Sequence, residues 1–131
     1  MSVTDTNGSL AVNVTGLKTA LSSSRLVSAA GSDNATNVKA SAGVLHHVIG
    51  YNAAASARYL KFYNKATAPT VGTDTPVLTL YLMPNSAFVL DFPEGFAFSL
   101  GIGYGMTTAA ADNSTAALTA GDVVCLNVLY V

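Results

Sequence analysis

Between Gly95 and Met106 small and large residues alternate without a break. Gly95, Ala97, Ser99, Gly101, Gly103 and Gly105 take one parity, and Phe96, Phe98, Leu100, Ile102, Tyr104 and Met106 take the other. A β-strand sends successive side chains to opposite faces, so this spacing predicts a strand with one apolar face and one nearly bare face. The large side can be buried in a sheet sandwich while another stretch of backbone, from this subunit or another, lies against the bare side. Such a strand belongs to a packing protein, and nothing around it has the residue chemistry of an active site.

The surface implied by the rest of the chain is consistent with packing. Of 131 residues only 10% are charged, against roughly 25% in an ordinary soluble domain. A surface of Ser, Thr, Asn, Ala and Gly is costly for the solubility of a free monomer but suits a chain packed against copies or partners. The net charge of −1 lacks the positive footprint of a nucleic-acid binder, so no nucleic-acid partner is expected. Polar residues interrupt every apolar stretch before the roughly 20 residues that span a bilayer, and no membrane association is expected. The opening MSVTDTNGSL has neither a basic region nor an apolar run of the secretory type, which places synthesis in the cytoplasm. Cys125 is the only cysteine. Its setting in an apolar segment predicts a buried, inert thiol.

This length suits one domain preceded by an arm. Residues 1–22 mix Leu10, Val12 and Val14 at strand spacing with Leu17 and Leu21 at helical spacing, and neither period persists. Two readings stand side by side: an arm that orders on contact with a partner subunit, or an edge strand over Leu10 to Val14. From residue 23 onward strand signals follow closely, over Arg25–Ala30, Asn37–Ala40, Val44–Tyr51, Arg58–Tyr63, Pro76–Leu82, Ala87–Phe92, the alternating segment and Val123–Val131. Turn clusters such as Gly31-Ser32-Asp33-Asn34, Pro84-Asn85 and Pro93-Glu94-Gly95 separate them. Arg58–Tyr63 reads as half-exposed, and Val123–Val131 as buried on both faces. The connections Asn64–Thr75 and Thr107–Gly121 read as outward-facing loops.

Short strands with turn chemistry between them and no amphipathic helix predict an all-β fold, an antiparallel β-sandwich over residues 23–131 with an extended N-terminal arm. A jelly roll is the preferred form, and an immunoglobulin-like sandwich stays open.

Candidate chemistry is sparse. Gly101-Ile102-Gly103-Tyr104-Gly105 has glycines but no strand-to-helix turn, so it is no phosphate loop. His46 and His47 point to opposite faces of a strand and cannot share a metal. Asp91 and Glu94 flank Pro93 in an expected turn, with no reason to face one cleft as a glycosidase pair would. The serines lack a nucleophile-elbow context. Tyr51, Tyr59, Tyr63, Tyr81 and Tyr104 could stack on a sugar, although tyrosines at sheet margins usually pack their rings. No catalytic residue, metal or cofactor is expected.

Several segments carry a likeness. Val38-Lys39-Ala40-Ser41-Ala42-Gly43-Val44-Leu45, Ala57-Arg58-Tyr59-Leu60-Lys61-Phe62-Tyr63-Asn64-Lys65-Ala66, Gly72-Thr73-Asp74-Thr75-Pro76-Val77-Leu78, and Phe96-Ala97-Phe98-Ser99-Leu100-Gly101-Ile102-Gly103 leading into Thr107-Thr108 occur in that order. Through them residues 25–131 resemble a family of small virion proteins of tailed bacteriophages. The resemblance implies a β-sandwich on the virion surface and no catalytic residues. A lone chain of this size with an arm fits a capsid decoration, or cement, protein on the outer capsid surface. Its expected partners are the major capsid protein and its own copies, as a homotrimer matching local three-fold positions. Leu10, Val12, Val14 and Leu17 are the expected bridging residues. The alternative is a tail-fibre, head-fibre or baseplate module that binds host carbohydrate. A hydrolase of envelope polymers is a third, weaker class, because no acid/base constellation is present.

Overall fold

The computed structural model describes residues 20–131, and the backbone alone of two short strands before them, β1 (Ser2–Thr4) and β2 (Leu10–Val12). β1 and β2 pair antiparallel with each other, Ser2 opposite Val12 and Thr4 opposite Leu10, in a sheet of their own. Leu10 and Val12 therefore lie on β2. Their side chains, and all of Val14 and Leu17, lie outside the described residues.

Eight further strands follow: β3 (Ser22–Ser28), β4 (Thr36–Lys39), β5 (Gly43–Asn52), β6 (Arg58–Asn64), β7 (Leu78–Leu82), β8 (Ser86–Phe98), β9 (Ile102–Thr107) and β10 (Val123–Tyr130). They form two antiparallel four-stranded sheets with the orders β3-β10-β5-β8 and β4-β9-β6-β7. The all-β, sandwich-like architecture expected from the sequence is present. Of the consecutive strands from β3 onward, only β6 and β7 are neighbours in one sheet, and every other connection changes sheet.

Between the sheets the core follows the period-two pattern, apart from a slip on β5 where the register shifts between Leu45 and His47. Leu45 and Val48 from β5, Leu60 and Phe62 from β6, Ile102, Tyr104 and Met106 from β9, and Leu126 and Val128 from β10 are all buried. Each large apolar side chain removed from water contributes about 1.5–3 kcal/mol. Phe62 sits among aromatic neighbours, with ring centroids 6.4 Å from Phe98 and 6.2 Å from Tyr104. Buried Asn52 satisfies its amide by donating to the carbonyls of Leu82 at 3.0 Å and Ser56 at 3.2 Å, while its oxygen accepts from Ala54 N. One polar side chain thereby ties the β5–β6 turn to β7.

The alternating segment is not one strand. Its first part ends β8 at Phe98, the chain bends over Ser99–Gly101, and Ile102 opens β9 in the opposite sheet. Alternation survives this corner because Phe98 and Ile102 both enter the same core from different sheets. Neither do Pro93, Glu94 and Gly95 terminate a strand. Pairing passes from His47 opposite Asp91 to Leu45 opposite Phe96, so His46 alone faces Phe92–Gly95, and the extra residues form a bulge within β8. Pro93 is tolerated because β8 is an edge strand. Gly95 takes φ +82°, and a Cβ there would run into Val44.

The bare parity of β9 is covered from within the same chain. A Cβ on Gly101 would stand 2.5 Å from the carbonyl oxygen of Lys65 and 2.6 Å from that of Lys39. A Cβ on Gly103 would approach Pro69, and one on Gly105 would meet Val71. The Asn64–Thr75 connection thus folds back over the sheet, burying Pro69 and Val71, and does not project.

Thr107–Gly121 is tied to the domain at a few points while most of its residues stay exposed, as expected of an outward-facing connection. Leu118 is buried in the core cluster and its amide donates to Ser32 O at 3.0 Å, and Ala111 accepts a hydrogen bond from Lys61 Nζ. In consequence Lys61 and Tyr63, expected on an exposed face, are 0% and 1% exposed. β10 departs from expectation in the other direction. Val123, Leu126 and Val128 are buried, but Cys125 is exposed, with φ +56° at a bulge, so the thiol is not a core group.

Candidate interaction site

Two connections that fold over β4-β9-β6-β7 build an outer layer, and some of its polar groups are bonded within the chain. Asp74 organises the first connection: its carboxylate accepts from Lys65 Nζ at 2.6 Å and from Thr70 N at 2.7 Å. Those two donors hold its pKa below the ordinary value. Beneath the layer, burial lowers the pKa of Lys61, opposed by the negative charge of Asp112. Burial also pushes the Tyr63 phenol up to about 12, with help from Asp74, Asp112 and Asp33. Among the described residues the Tyr63 hydroxyl has no hydrogen-bond partner.

The five tyrosines do not share a platform. Tyr104 is in the core and Tyr63 is under the loops, while Tyr51 lies partly exposed on the sheet containing β5. Only Tyr59 and Tyr81 meet, edge to face at 5.7 Å across the β6–β7 pair. His47 Nδ1 stands 3.0 Å from Asp91 Oδ1 across β5 and β8. Glu94 lines a shallow hollow with Phe92, Pro93 and Gly95, in which no second carboxylate takes part. Among the described residues no three His, Cys, Asp or Glu side chains converge as a metal site would require.

The feature with the geometry of a binding surface is one that sequence reasoning did not single out. β7 and β8 are edge strands of opposite sheets, joined by the short corner Met83-Pro84-Asn85, with Asn85 at φ +48°. Between them runs a groove of about 230 Å³ lined by Thr79, Leu80, Tyr81, Leu82, Phe88, Val89 and Leu90. Leu78, Leu80, Phe88 and Leu90 point toward the core yet stay only partly buried, so among the described residues the sandwich is open along this side. Tyr81, Met83 and Val89 project outward on the same arch and are 59%, 60% and 72% exposed. The sequence signal that could have revealed it is the stretch Thr75–Leu90, which contains no charged residue.

Comparison of the chain with protein-family models, with curated proteins and with solved structures finds no match. The class defined by fold and surface is therefore a charge-poor antiparallel β-sandwich with one open, apolar edge.

Proposed function

We propose that this chain is a structural virion protein of a tailed bacteriophage, a capsid decoration protein that binds the outer shell as a homotrimer and holds neighbouring major capsid subunits together. The observation that carries this reading is the surface. Val27, Tyr81, Met83, Val89 and Leu100 are each more than half exposed in a chain with 10% charged residues, a composition suited to burial against other proteins. The resemblance of residues 25–131 to small phage virion proteins supports it independently of the fold. The strand orders β3-β10-β5-β8 and β4-β9-β6-β7 support a jelly roll, a fold suited to shell-associated proteins.

Leu10, Val12, Val14 and Leu17 are proposed to bridge capsid subunits. Incubating the purified protein with expanded capsids tests the reading: saturable binding is expected, with a copy number that follows the shell lattice. Binding to tails alone would overturn it. Removal of residues 1–22 is expected to weaken capsid binding, and unchanged affinity would remove the arm from the proposal.

A second reading, a fibre or baseplate module for host carbohydrate, draws on the Tyr59–Tyr81 pair, since an exposed aromatic face can stack on a sugar ring. Binding of the isolated protein to a glycan array, lost in Tyr81→Ala, would favour it over the capsid role.

A further inference from the structure

The middle of the connection between β6 and β7, residues 66–76, is held to the sandwich differently from any strand. Backbone bonds fix the chain on either side of it, Lys65 N donating to Gly101 O at 3.1 Å and Val77 N to Phe62 O at 2.8 Å. Among the described residues, no backbone hydrogen bond joins residues 66–76 to a strand. The segment bonds to itself instead. Thr73 N and Asp74 N both donate to Thr70 O, and Asp74 Oδ2 accepts from Thr70 N at 2.7 Å and from Lys65 Nζ at 2.6 Å. Only two buried side chains seat it on the sheet, Pro69 beside Gly103 and Val71 beside Gly105. Those glycines lie opposite Tyr63 and Lys61 in the β6–β9 register.

We propose that residues 66–76 form a strap over the bare side of β9, latched by the Asp74 carboxylate and released as a unit when that carboxylate is protonated. One oxygen carries both ties, so a single proton weakens both. Lys65 and Asp74 are each partly exposed, and the proton reaches them without prior unfolding. The closed strap also buries the Tyr63 hydroxyl, which has no partner among the described residues. Release relieves that cost. The sandwich itself survives release, because Phe62, Tyr104 and Met106 belong to the core on the other side of the sheet.

The direction of the pH effect follows from the two donors, which hold Asp74 below 3.8 in the closed form. Release returns the carboxyl toward 3.8. The latch is therefore fully set above that value and is lost as pH falls through the closed-form pKa. The other groups around it are Lys65 on the same connection, the Tyr63 phenol on β6, and Asp112 and Asp33 on neighbouring connections, which act on that phenol. Tyr63 stays neutral in acid. Asp112 and Asp33 are carboxylates as well, so a variant at Asp74 is needed to separate their titration from that of the latch.

Residue-resolved hydrogen exchange between about pH 6 and about pH 2, corrected for intrinsic rates, tests the strap. The amides of Thr70, Thr73 and Asp74 are expected to lose protection by roughly tenfold or more on acidification, in step with titration of the Asp74 carboxyl. Amides of β6 and β9 should hold theirs. Asp74→Ala is expected to show low strap protection at every pH, with no step.

Unchanged strap protection in acid would overturn the inference, and so would a loss shared equally by β6 and β9, which is unfolding of the whole domain. A parent-like step in Asp74→Ala would overturn Asp74 as the latch. Should that variant fail to fold, the parent decides: a strap midpoint that departs from the Asp74 titration overturns the assignment. The inference is independent of the proposed virion role, and none of these outcomes bears on capsid binding.

Discussion

Lys61 Nζ donates to the carbonyl oxygen of Ala111 at 2.6 Å, joining the middle of β6 to a connection that begins after β9. The side chain is fully buried, so its four methylenes support the Thr107–Gly121 connection while its charge is held against the Ala111 carbonyl and feels the negative charge of Asp112. Lys61→Ala removes both packing and anchor. A loss of about 2–3 kcal/mol is expected in urea denaturation, with faster proteolysis within residues 108–117. Lys61→Met keeps most of the volume and removes the desolvated charge, so its stability should lie within about 1 kcal/mol of the parent.

Tyr63 supplies the alkaline behaviour. Its phenol has a pKa near 12 in the folded chain and 10.0 as the ordinary value. The folded state therefore binds the proton more tightly between those values, and stability falls as pH rises from 10 toward 12. Lys61 acts in the opposite sense. Its folded pKa lies below 10.5, so the unfolded chain holds the proton better, and this group makes stability rise as pH climbs toward 10.5. Tyr63→Phe is expected to shallow the falling limb in denaturation curves taken across this range, leaving the part due to Tyr104, whose phenol pKa burial also raises. Because the hydroxyl has no partner among the described residues, the same substitution at pH 7 should be neutral or stabilising by up to about 1 kcal/mol.

Gly101 and Gly103 occupy the same parity of the alternating segment but not equivalent sites. A methyl at Gly101 meets two carbonyl oxygens, of Lys65 and Lys39, neither of which can rotate away. At Gly103 the nearest atom is Pro69 Cδ at 3.1 Å, a contact that a small loop shift relieves. Thermal denaturation should find Gly101→Ala destabilised by about 3 kcal/mol and Gly103→Ala by about 1 kcal/mol or less. Equal effects would show that the covering connection yields at both positions.

Asp122 and Arg58 close the end of the sandwich where β6 begins and β10 is about to begin. Arg58 Nε donates to Asp122 Oδ2 at 2.7 Å, and the same oxygen accepts from Thr119 N at 2.9 Å. The side chains are 13% and 11% exposed. Asp122→Ala strands the guanidinium and frees the Thr119 amide, and a loss of about 3 kcal/mol is expected. The double variant with Arg58→Met should cost less than the sum of the single changes, as a double-mutant cycle would measure.

Local chemistry made much of the scaffold legible. Val44–Tyr51 and Arg58–Tyr63 were marked by their apolar and aromatic content, and the structure extends them by only a residue or two as β5 and β6. Asn34 and Asn85 fall in the expected turn clusters and take positive φ there, a conformation asparagine tolerates better than most residues. The open β7–β8 edge was less legible because Leu78, Leu80, Phe88 and Leu90 carry the same alternating pattern as fully buried strands. Periodicity says which side faces the core, not whether a neighbour completes it.

By itself the amino-acid sequence determined the strand-rich character, the turn positions and the identity of most core residues, since all three depend on neighbours close along the chain. Tertiary structure decided where the Gly95–Met106 alternation breaks, what lies on its bare side, and that Lys61 and Tyr63 are covered while Cys125 is not. Those outcomes depend on contacts between distant segments, such as Gly101 with Lys65 and Lys61 with Ala111. A period-two pattern assigns a face to each side chain and carries no information about the layer that comes to rest against it.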